Sequence, residues 1–209
     1  MTSIEAPSRL DRDQVRAIGE MLGRSFHDDP PSIWFLPDEA RRRRALRDKF
    51  TADVRYGDRY GQIYVTVDAI EGAAIWLPPD DPFPSTLRML RVDAYEVISM
   101  PLRYGTAFVS RYLTLMNRLE ELHKTDMTDR HWYLMTLGVE PERQGKGVGG
   151  ALIQPGLANA DRDGLVCYLE TSKEINLRFY GNHGFEVLRE IRMPGGGPTL
   201  WTMQREPAA

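Results

Sequence analysis

The sequence predicts a mixed α/β (α+β) domain in which helices flank one central, mixed β-sheet. Segments with apolar residues at every second position alternate with segments that carry an apolar stripe at helical spacing, and prolines and glycines separate them. A glycine-rich segment also joins a predicted strand to a predicted helix. A chain of 209 residues suits one sizeable core, so we expect residues 1–209 to form a single domain.

The first two predicted helices each begin at an acidic residue. Asp11 and Gln14 have the spacing of a capping box, and the helix that follows has a buried face made of Val15, Ile18, Leu22 and Phe26. Asp38 can cap the second helix, whose buried stripe is Leu46, Phe50 and Val54. Four consecutive arginines, residues 41–44, point around this helix, so we expect them to be solvated and salt-bridged.

A hairpin, a stiff loop and two helices are predicted next. Residues 62–67 alternate, with Ile63, Val65 and Val67 on one face, and their hairpin partner is 73–77. Prolines 78, 79, 82 and 84 then prevent regular structure. Helical patterns occupy 85–99 and 102–122, and Pro101 marks the break between them. These two helices carry a set of Met and aromatic residues at helical spacing. The spacing favours packing in the core, and the alternative is the wall of an apolar binding site. The residues are Met89, Tyr95, Met100, Tyr104, Phe108, Tyr112 and Met116.

The C-terminal part alternates strands and helices. Strands are predicted at 132–139 and 166–171, with a helix at 148–163 between them. A short helix at 175–182 follows, and 186–192 with 200–204 closes the chain as a β-hairpin.

Charge and composition exclude several classes of protein. A net charge of −3 gives no basic face for nucleic acid, so no nucleic-acid partner is expected. No stretch approaches the roughly 20 apolar residues of a membrane span and no N-terminal signal peptide is recognised, which predicts a cytoplasmic protein without a membrane partner. The single Cys167 excludes an intramolecular disulfide and fits a reducing compartment. Monomer and homodimer both remain open.

The segment from Leu137 to Gly150 carries the strongest functional signal. An apolar run ends, a polar turn follows at 140–144, and glycines then lead into a helix. Glycines let backbone N–H groups point together at an anion, and the helix start adds unpaired N–H groups and the positive end of its dipole. The segment therefore predicts a site for a phosphate-bearing cofactor.

Two phosphate-binding motifs compete for this segment. The loop of nucleotide triphosphatases needs Ser or Thr after its lysine, but Lys146 is followed by Gly147. The dinucleotide motif Gly-x-Gly-x-x-Gly fits Gly145, Gly147 and Gly150, with Glu170 in place of the acidic residue that binds a ribose. The dinucleotide motif would indicate a nicotinamide-dependent oxidoreductase. Two observations argue against it: a turn separates the strand from the glycines, and too little chain follows for a doubly wound sheet.

A second cluster decides between them. The pattern Gln144-x-x-Gly147-x-Gly149 resembles the pyrophosphate motif of the GNAT superfamily of N-acetyltransferases, and Asn176-x-x-x-Tyr180 followed by Gly184-Phe185 resembles that family's second motif. Residues 132–134, 169–172 and 201–203 are similar to the puromycin N-acetyltransferase branch. The resemblance is close over about residues 132–207 and weak over the first 130.

The resemblance implies a fold and a cofactor. The fourth and fifth strands of a GNAT sheet part like a V, and acetyl-coenzyme A (acetyl-CoA) binds in the gap; no metal is implied. Residues 131–209 would form the acetyl-CoA-binding half and residues 1–130 the acceptor side. The alternative for Gly138 is to relieve a bulge in its strand, and the alternative for Asn176 is to cap its helix. The implied cofactor-binding residues are Leu137, Gly138, Val139, Gln144, Gly145, Lys146, Gly147, Val148, Gly149, Gly150, Asn176 and Tyr180.

The resemblance also implies two catalytic residues. Tyr180 would be the general acid that protonates or hydrogen-bonds the leaving thiolate, because an ordinary tyrosine pKa of ~10, above the ~8.5 of a thiol, keeps the phenol protonated at neutral pH. The alternative for Tyr180 is an aromatic packed under the sheet. Glu170 would be the general base, acting through water, or else a structural carboxylate that holds the following turn. Further candidate bases are Asp28, Asp29, His123 and His131.

These observations favour an N-acetyltransferase that moves the acetyl group directly to a primary amine on a small molecule, with a puromycin-like aminonucleoside as one candidate and antibiotic resistance as one consequence. An acetyl-thiol intermediate on Cys167 is disfavoured, because its neighbours predict a buried strand and no histidine partner is recognised. Acetylation of a protein N-terminus or lysine is an alternative acceptor reaction. A module that senses coenzyme A without catalysis is the alternative from another class.

Overall fold

The computed structural model describes residues 3–80 and 83–208, with residues 86, 96 and 97 described by their backbone only. Within this range the strands are β1 (Ile4–Glu5), β2 (Gln62–Thr66), β3 (Gly72–Leu77), β4 (Trp132–Val139), β5 (Cys167–Thr171), β6 (Glu186–Arg192) and β7 (Thr199–Arg205). The helices are α1 (Arg12–Ser25), α2 (Pro30–Phe35), α3 (Glu39–Tyr60), α4 (Thr86–Tyr104), α5 (Thr106–Asp126), α6 (Val148–Asp163) and α7 (Glu174–Gly181), and a 3-10 turn covers Pro141–Arg143.

These strands form one sheet in the order β1-β2-β3-β4-β5-β7-β6. β4 and β5 run parallel, whereas the other neighbouring pairs are antiparallel. A parallel pair needs a long crossover, and α6 supplies it. The predicted mixed sheet with flanking helices is therefore confirmed.

The helices cover both faces of the sheet. On β3, Ala73 and Ile75 pack into a cluster with α1 and α3, whereas Ala74 and Trp76 point to the other face and pack with α6. A strand that is buried on both faces reads as a continuous apolar run, which is how this strand appears in the sequence.

The predicted capping box at the start of α1 is present. The Asp11 carboxylate accepts hydrogen bonds from the N–H groups of Asp13 (2.9 Å) and Gln14 (2.8 Å), and Gln14 Oε1 accepts from the Asp11 N–H at 3.0 Å. These bonds satisfy N–H groups that have no partner within the helix, and α1 is thereby fixed at the end farthest from the candidate site described below.

The predicted helix break at Pro101 is wrong. α4 continues through Pro101 to Tyr104, and the chain turns at Gly105, whose φ is +87°. A turn through positive φ is open to glycine and costly for other residues, so glycine ends the helix where proline did not. A kink does occur in α4, at Asp93, with non-helical φ and ψ of −149° and 71°.

The arginine run departs from its prediction at one position. Arg42 is buried, and its guanidinium donates to the carbonyl oxygens of His27 (2.9 Å), Leu36 (3.0 Å) and Pro37 (2.8 Å). A guanidinium has five N–H donors, so one side chain can hold the two turns that flank α2. Arg43 is exposed as predicted.

Several smaller features also differ from the sequence prediction. Val67 lies outside β2 and is exposed, and Tyr95 on α4 is exposed rather than part of the core. The two-residue strand β1 and the short helix α2 were not predicted. Prolines 78, 79 and 84 lie between β3 and α4 as expected, and Pro82 lies outside the described residues.

Candidate functional site

The gap between β4 and β5 is the centre of the candidate site. The two strands pair only at Trp132 with Cys167 and Tyr133 with Tyr168, although β4 continues to Val139. The predicted splay is therefore present. A β-bulge lies in β4 where Ile75 and Trp76 of β3 pair with Thr136 and Leu134, which leaves Met135 as the additional residue. The bulge therefore lies at Met135 and not at Gly138. Bulges bend a strand and increase its twist.

The register of β4 decides which backbone groups face the gap. The Glu140 N–H donates to the Glu71 carbonyl at 2.7 Å, so residue 140 points toward β3. Because hydrogen-bonding direction alternates along an antiparallel strand, Gly138 also points toward β3, whereas Leu137 and Val139 point toward the gap.

The groups of Val139 already have partners in the protein. Its N–H donates to Ser25 Oγ at 3.1 Å, and its carbonyl accepts from Gln144 Nε2 at 3.0 Å. Gln144, predicted to bind the cofactor directly, thus anchors the glycine loop to the end of β4. Leu137 is left as the other residue of 137–139 whose backbone faces the gap.

Gly138 has a packing role. A Cβ at this position would lie 2.5 Å from Leu22 Cδ2 and 3.1 Å from Ser25 Oγ. The end of α1 can therefore approach β4 only because residue 138 is glycine.

The glycine loop leaves the start of α6 open. Gly145 and Gly147 have φ of +72° and +83°, a region that favours glycine, and nothing lies within 4 Å of a Cβ built at either. Gly147 is the N-cap of α6 and supplies no side chain to the N–H groups of the first turn, Val148, Gly149 and Gly150. These unpaired N–H groups and the positive end of the helix dipole suit an anion.

Helix α7 forms the other wall beside this loop. A Cβ on Gly149 would lie 3.4 Å from the Phe179 ring, and one on Gly150 would lie 3.5 Å from His183 Nε2. Asn176 Nδ2 donates to Thr171 Oγ1 at 2.9 Å and so ties α7 to the end of β5. The N-cap of α7 is Lys173, so the alternative role of Asn176 as a cap is wrong.

Tyr180 lies on the α6 side of the sheet. It is buried, and its ring packs at 5.1 Å from Phe179 and 5.8 Å from Phe185. Its hydroxyl makes no hydrogen bond with the residues that the structure describes. Burial, and after it the charge of Asp29, raises the pKa of Tyr180, so the phenol keeps its proton at any working pH.

Glu170 lies on the opposite face, in a buried polar cluster. Its Oε2 accepts a hydrogen bond from the Tyr133 hydroxyl at 2.7 Å. Its Oε1 lies 3.8 Å from His123 Nδ1, and both atoms are buried without a hydrogen-bond partner among the described residues. Burial raises the pKa of Glu170 to about 8, against which the bond from Tyr133 acts only in part.

The two predicted alternative bases His123 and His131 form a pair. Their Nε2 atoms are 2.7 Å apart, and His131 Nδ1 lies 2.7 Å from the carbonyl oxygen of Asp129. Burial lowers the pKa of His123 to about 3, with the neighbouring imidazole as the second cause, and burial also lowers the pKa of His131. Both rings are therefore neutral at physiological pH.

The acidic pair after α1 separates into two environments. The Asp28 side chain is exposed and lies 2.8 Å from His27 Nδ1. Asp29 is buried and pairs with Lys173 Nζ at 2.5 Å. Burial raises the pKa of Asp29, and the bond from Lys173 opposes that shift.

Residues 25–29 therefore span the open end of the gap. Ser25 binds the end of β4 through Val139, and Asp29 binds the loop after β5 through Lys173. No local pattern pointed to Ser25, Lys173 or the Tyr133–Glu170 bond, because each joins segments far apart in the chain. The closeness of His123 and His131 could have been inferred, because a short turn joins the end of α5 to β4.

Cys167 is not placed for covalent chemistry. It is fully buried, and burial raises its pKa to about 12. A thiol in this state is almost entirely protonated at neutral pH, which agrees with the predicted packing role.

Across residues 3–80 and 83–208, no helix is long and apolar enough to cross a membrane. Nor does any group of three or more His, Cys, Asp or Glu side chains in these ranges form a candidate metal site.

Part of the chain matches a known protein-family model. Residues 114–187 match the family model described as acetyltransferase (GNAT) domain. A curated relative, an uncharacterized N-acetyltransferase of Schizosaccharomyces pombe, is 24% identical over 189 residues, which cover 89% of this chain and 76% of the relative.

Solved structures share the fold over the whole chain. One from Corynebacterium glutamicum, described as histone acetyltransferase HPA2 and related acetyltransferase, is 24% identical with a TM-score of 0.67, covering 100% of this chain and 98% of that one. Arylalkylamine N-acetyltransferase 2 from Aedes aegypti is 16% identical with a TM-score of 0.55, covering 99% of this chain and 100% of that one.

Proposed function

This chain is an acetyltransferase with a GNAT domain at residues 114–187, and from that premise we propose that it moves the acetyl group of acetyl-CoA directly to a primary amine of a small molecule. One observation carries the proposal: the gap between β4 and β5 opens beside the uncapped start of α6. A phosphate-bearing arm and a reactive acyl group need these two features side by side.

The cofactor would be held mainly by backbone. The N–H groups of residues 145–150 would bind the pyrophosphate, and the exposed Lys146 would add a positive charge. Leu137 would hydrogen-bond the pantetheine arm, and Val139 would do so once its bond to Ser25 opens. Asn176 would act through α7, which it ties to β5, while Gly138 would only allow α1 to approach. GNAT acetyltransferases use acetyl-CoA, which supplies the activated acyl group when bound.

Tyr180 and Glu170 would divide the proton transfers between the two faces of the sheet. Tyr180 would be the general acid that hydrogen-bonds the sulfur of the departing thiolate; burial keeps the phenol protonated, although the same raised pKa weakens it as an acid. Glu170 would receive the proton that the amine loses. A backbone N–H at Leu137 directed at the thioester oxygen would stabilise the developing negative charge, an effect typically worth ~3 kcal/mol.

The span at residues 25–29 favours a small acceptor. It crosses the open end of the gap and is fastened to both strands through Ser25 and Asp29. A small amine needs less room to pass it than a protein segment does. Puromycin is one acceptor to test, because residues 132–207 resemble the puromycin N-acetyltransferase branch.

A protein acceptor is the second candidate. The Corynebacterium glutamicum structure is described as a histone acetyltransferase, whereas the Aedes aegypti structure is described as an arylalkylamine N-acetyltransferase. The relatives of this fold therefore include both kinds of acceptor, and a direct assay has to separate them.

The first experiment is thermal unfolding with acetyl-CoA, coenzyme A or NAD in excess. A ligand at a hundredfold excess over its Kd stabilises the fold by ~2.7 kcal/mol, so acetyl-CoA and coenzyme A should raise the Tm while NAD leaves it unchanged. Stabilisation by NAD alone would contradict the cofactor assignment. Thiol release is then measured with arylalkylamines, polyamines, puromycin and a lysine-containing peptide. Turnover of the peptide alone would replace the small-molecule acceptor by a protein.

A further inference from the structure

The buried cluster around Glu170 contains a row of polar groups in which one neighbouring pair lacks a hydrogen-bond donor. The row runs from Glu170 through His123 and His131 to the carbonyl of Asp129. Two neighbouring atoms in it, Glu170 Oε1 and His123 Nδ1, are buried, face each other at 3.8 Å and have no other partner among the described residues.

The carbonyl of Asp129 at the end of the row decides which atom donates and which accepts in each hydrogen bond. A carbonyl oxygen only accepts, so His131 Nδ1 must carry a hydrogen and donate to Asp129. In a neutral ring the other nitrogen is then bare, so His131 Nε2 accepts from His123 Nε2–H. His123 is neutral as well, which leaves its Nδ1 as a bare acceptor pointing at Glu170.

A bare imidazole nitrogen and a carboxylate oxygen repel each other. One proton on Glu170 Oε1 removes the repulsion and supplies a donor, which bonds to His123 Nδ1 once the two side chains close from 3.8 Å to hydrogen-bond distance, while Oε2 continues to accept from Tyr133. Buried polar groups are costly when unpaired, so the protonated carboxyl is the state that the geometry favours. The pKa of Glu170, about 8, agrees with a carboxyl that is neutral at pH 7.

The groups packed around the row leave this result unchanged. Tyr133 and Tyr168 face it from β4 and β5, and both hydroxyls lower the pKa of Glu170, but by less than burial raises it. Burial also raises the pKa of both phenols, so both keep their protons. Asp126 of α5 is the acidic group that favours a charge on His123, and its own partner is Arg189 of β6. The remaining neighbours are Phe83, whose ring packs on His123, and Asp53 of α3, whose charge acts on Tyr133.

We propose that Glu170 and His123 share one proton, which Glu170 holds at rest, so that at neutral pH Glu170 becomes a base by passing this proton to His123, while His131 fixes the tautomer of His123. The proposal rests on the proposed function for the identity of the reaction. His131 is a positioning residue, because it acts through His123.

The proton balance closes over one turnover. The Glu170 Oε1–H bond breaks and the proton joins His123 Nδ1, which gives a carboxylate and an imidazolium beside Asp126. The carboxylate then takes the proton that the amine loses as its C–N bond forms. Glu170 afterwards releases the amine's proton to water as the product leaves, and His123 returns its Nδ1 proton to Glu170 Oε1, which restores the starting tautomer. No electron transfer is involved.

The resting state can be tested without any acceptor, by ¹⁵N NMR of the histidine-labelled full chain at pH 7. The chain has four histidines, and His27→Gln with His183→Gln leaves the two relevant rings. We expect a bare Nδ1 on His123, a protonated Nδ1 on His131, and a scalar coupling between their Nε2 atoms across the hydrogen bond. A protonated His123 Nδ1 in the resting protein would overturn the proposal.

The catalytic part is tested by the pH profile of kcat. In His123→Gln the amide can still accept from Glu170 and donate to His131, but it cannot take a proton. Turnover at neutral pH should fall on the order of a hundredfold. The loss should shrink as the pH rises past the ionisation of Glu170 itself, while acetyl-CoA affinity stays unchanged. An equal loss at every pH, or no loss, would refute the shared proton.

His131 variants separate positioning from packing. His131→Leu removes the acceptor for His123 Nε2–H and should shift the profile in the same direction, whereas His131→Gln keeps an acceptor and should restore it. Equal profiles for both variants would show that His131 only fills space. If no amine is acetylated by the wild type, the proposed function fails, while the NMR result still decides the tautomers.

Discussion

Tyr180 is the residue whose hydroxyl is tested most cleanly. Its oxygen bonds to no described residue, so Tyr180→Phe removes the acid without breaking an internal hydrogen bond. We expect turnover to fall on the order of a hundredfold, with coenzyme A affinity and Tm nearly unchanged. Full turnover would remove Tyr180 from the mechanism.

Tyr64 supplies the matched control for that substitution. It belongs to the same apolar cluster, and its hydroxyl donates to Gln62 at 2.7 Å and accepts from Asn159 at 2.9 Å. Tyr64→Phe should therefore cost about 1 kcal/mol of stability and leave turnover unchanged. A similar loss of turnover in both variants would indicate a general effect on packing.

At the scale of an element, α6 carries glycines in left-handed conformation at both ends. Gly147 before the helix has φ of +83° and Gly164 after it has φ of +64°, and both have open space where a Cβ would stand. Alanine at either position should cost about 1 kcal/mol, because the backbone strain is alike.

The two variants should differ in cofactor binding. Gly147→Ala places a methyl group where the pyrophosphate is proposed to lie, so we expect the Kd of coenzyme A to rise at least about tenfold, or 1.4 kcal/mol. Gly164→Ala should leave it unchanged. Isothermal titration of both proteins gives the comparison, and equal values would move the cofactor away from this end of α6.

At the scale of the whole molecule, the buried cluster makes stability depend on pH. The pKa of Glu170 is raised from 4.5 to about 8, so the folded state binds the proton more tightly than the unfolded state. The folded protein therefore loses free energy of unfolding when Glu170 ionises. This loss is absent below pH 4.5, grows as the pH rises to about 8, and reaches on the order of 5 kcal/mol. His123 acts in the opposite direction: its pKa falls from 6.5 to about 3, so its cost grows as the pH falls below 6.5.

Glu170→Gln isolates the first of these contributions. The amide mimics the protonated carboxyl, because it can donate to His123 and accept from Tyr133. Denaturant unfolding should show this variant gaining stability over the wild type as the pH rises from 4.5 to 8, with a plateau above that range. A difference that does not change with pH would mean that Glu170 is ionised in the folded protein.

The mixed sheet, its principal helices and the glycine loop could be predicted because their signals are local. Alternating apolar residues mark β4, and a Cβ-free backbone is required at Gly145 and Gly147, where φ is positive. Pro101 was misread, since a proline can be tolerated in a helix when surrounding contacts hold the neighbouring turns. Arg42 was misread because nothing local shows that it meets three carbonyl groups across two turns.

The fold class, the order of the principal elements and the segment that opens the start of α6 follow from local patterns, because each depends on residues close together in the chain. The packed structure was needed to show that Leu137 rather than Gly138 faces the gap, that residues 25–29 span it, and that Glu170 meets the histidine pair. Those features depend on strand register and on contacts between distant segments, whose geometry is fixed only when the helices pack on the sheet.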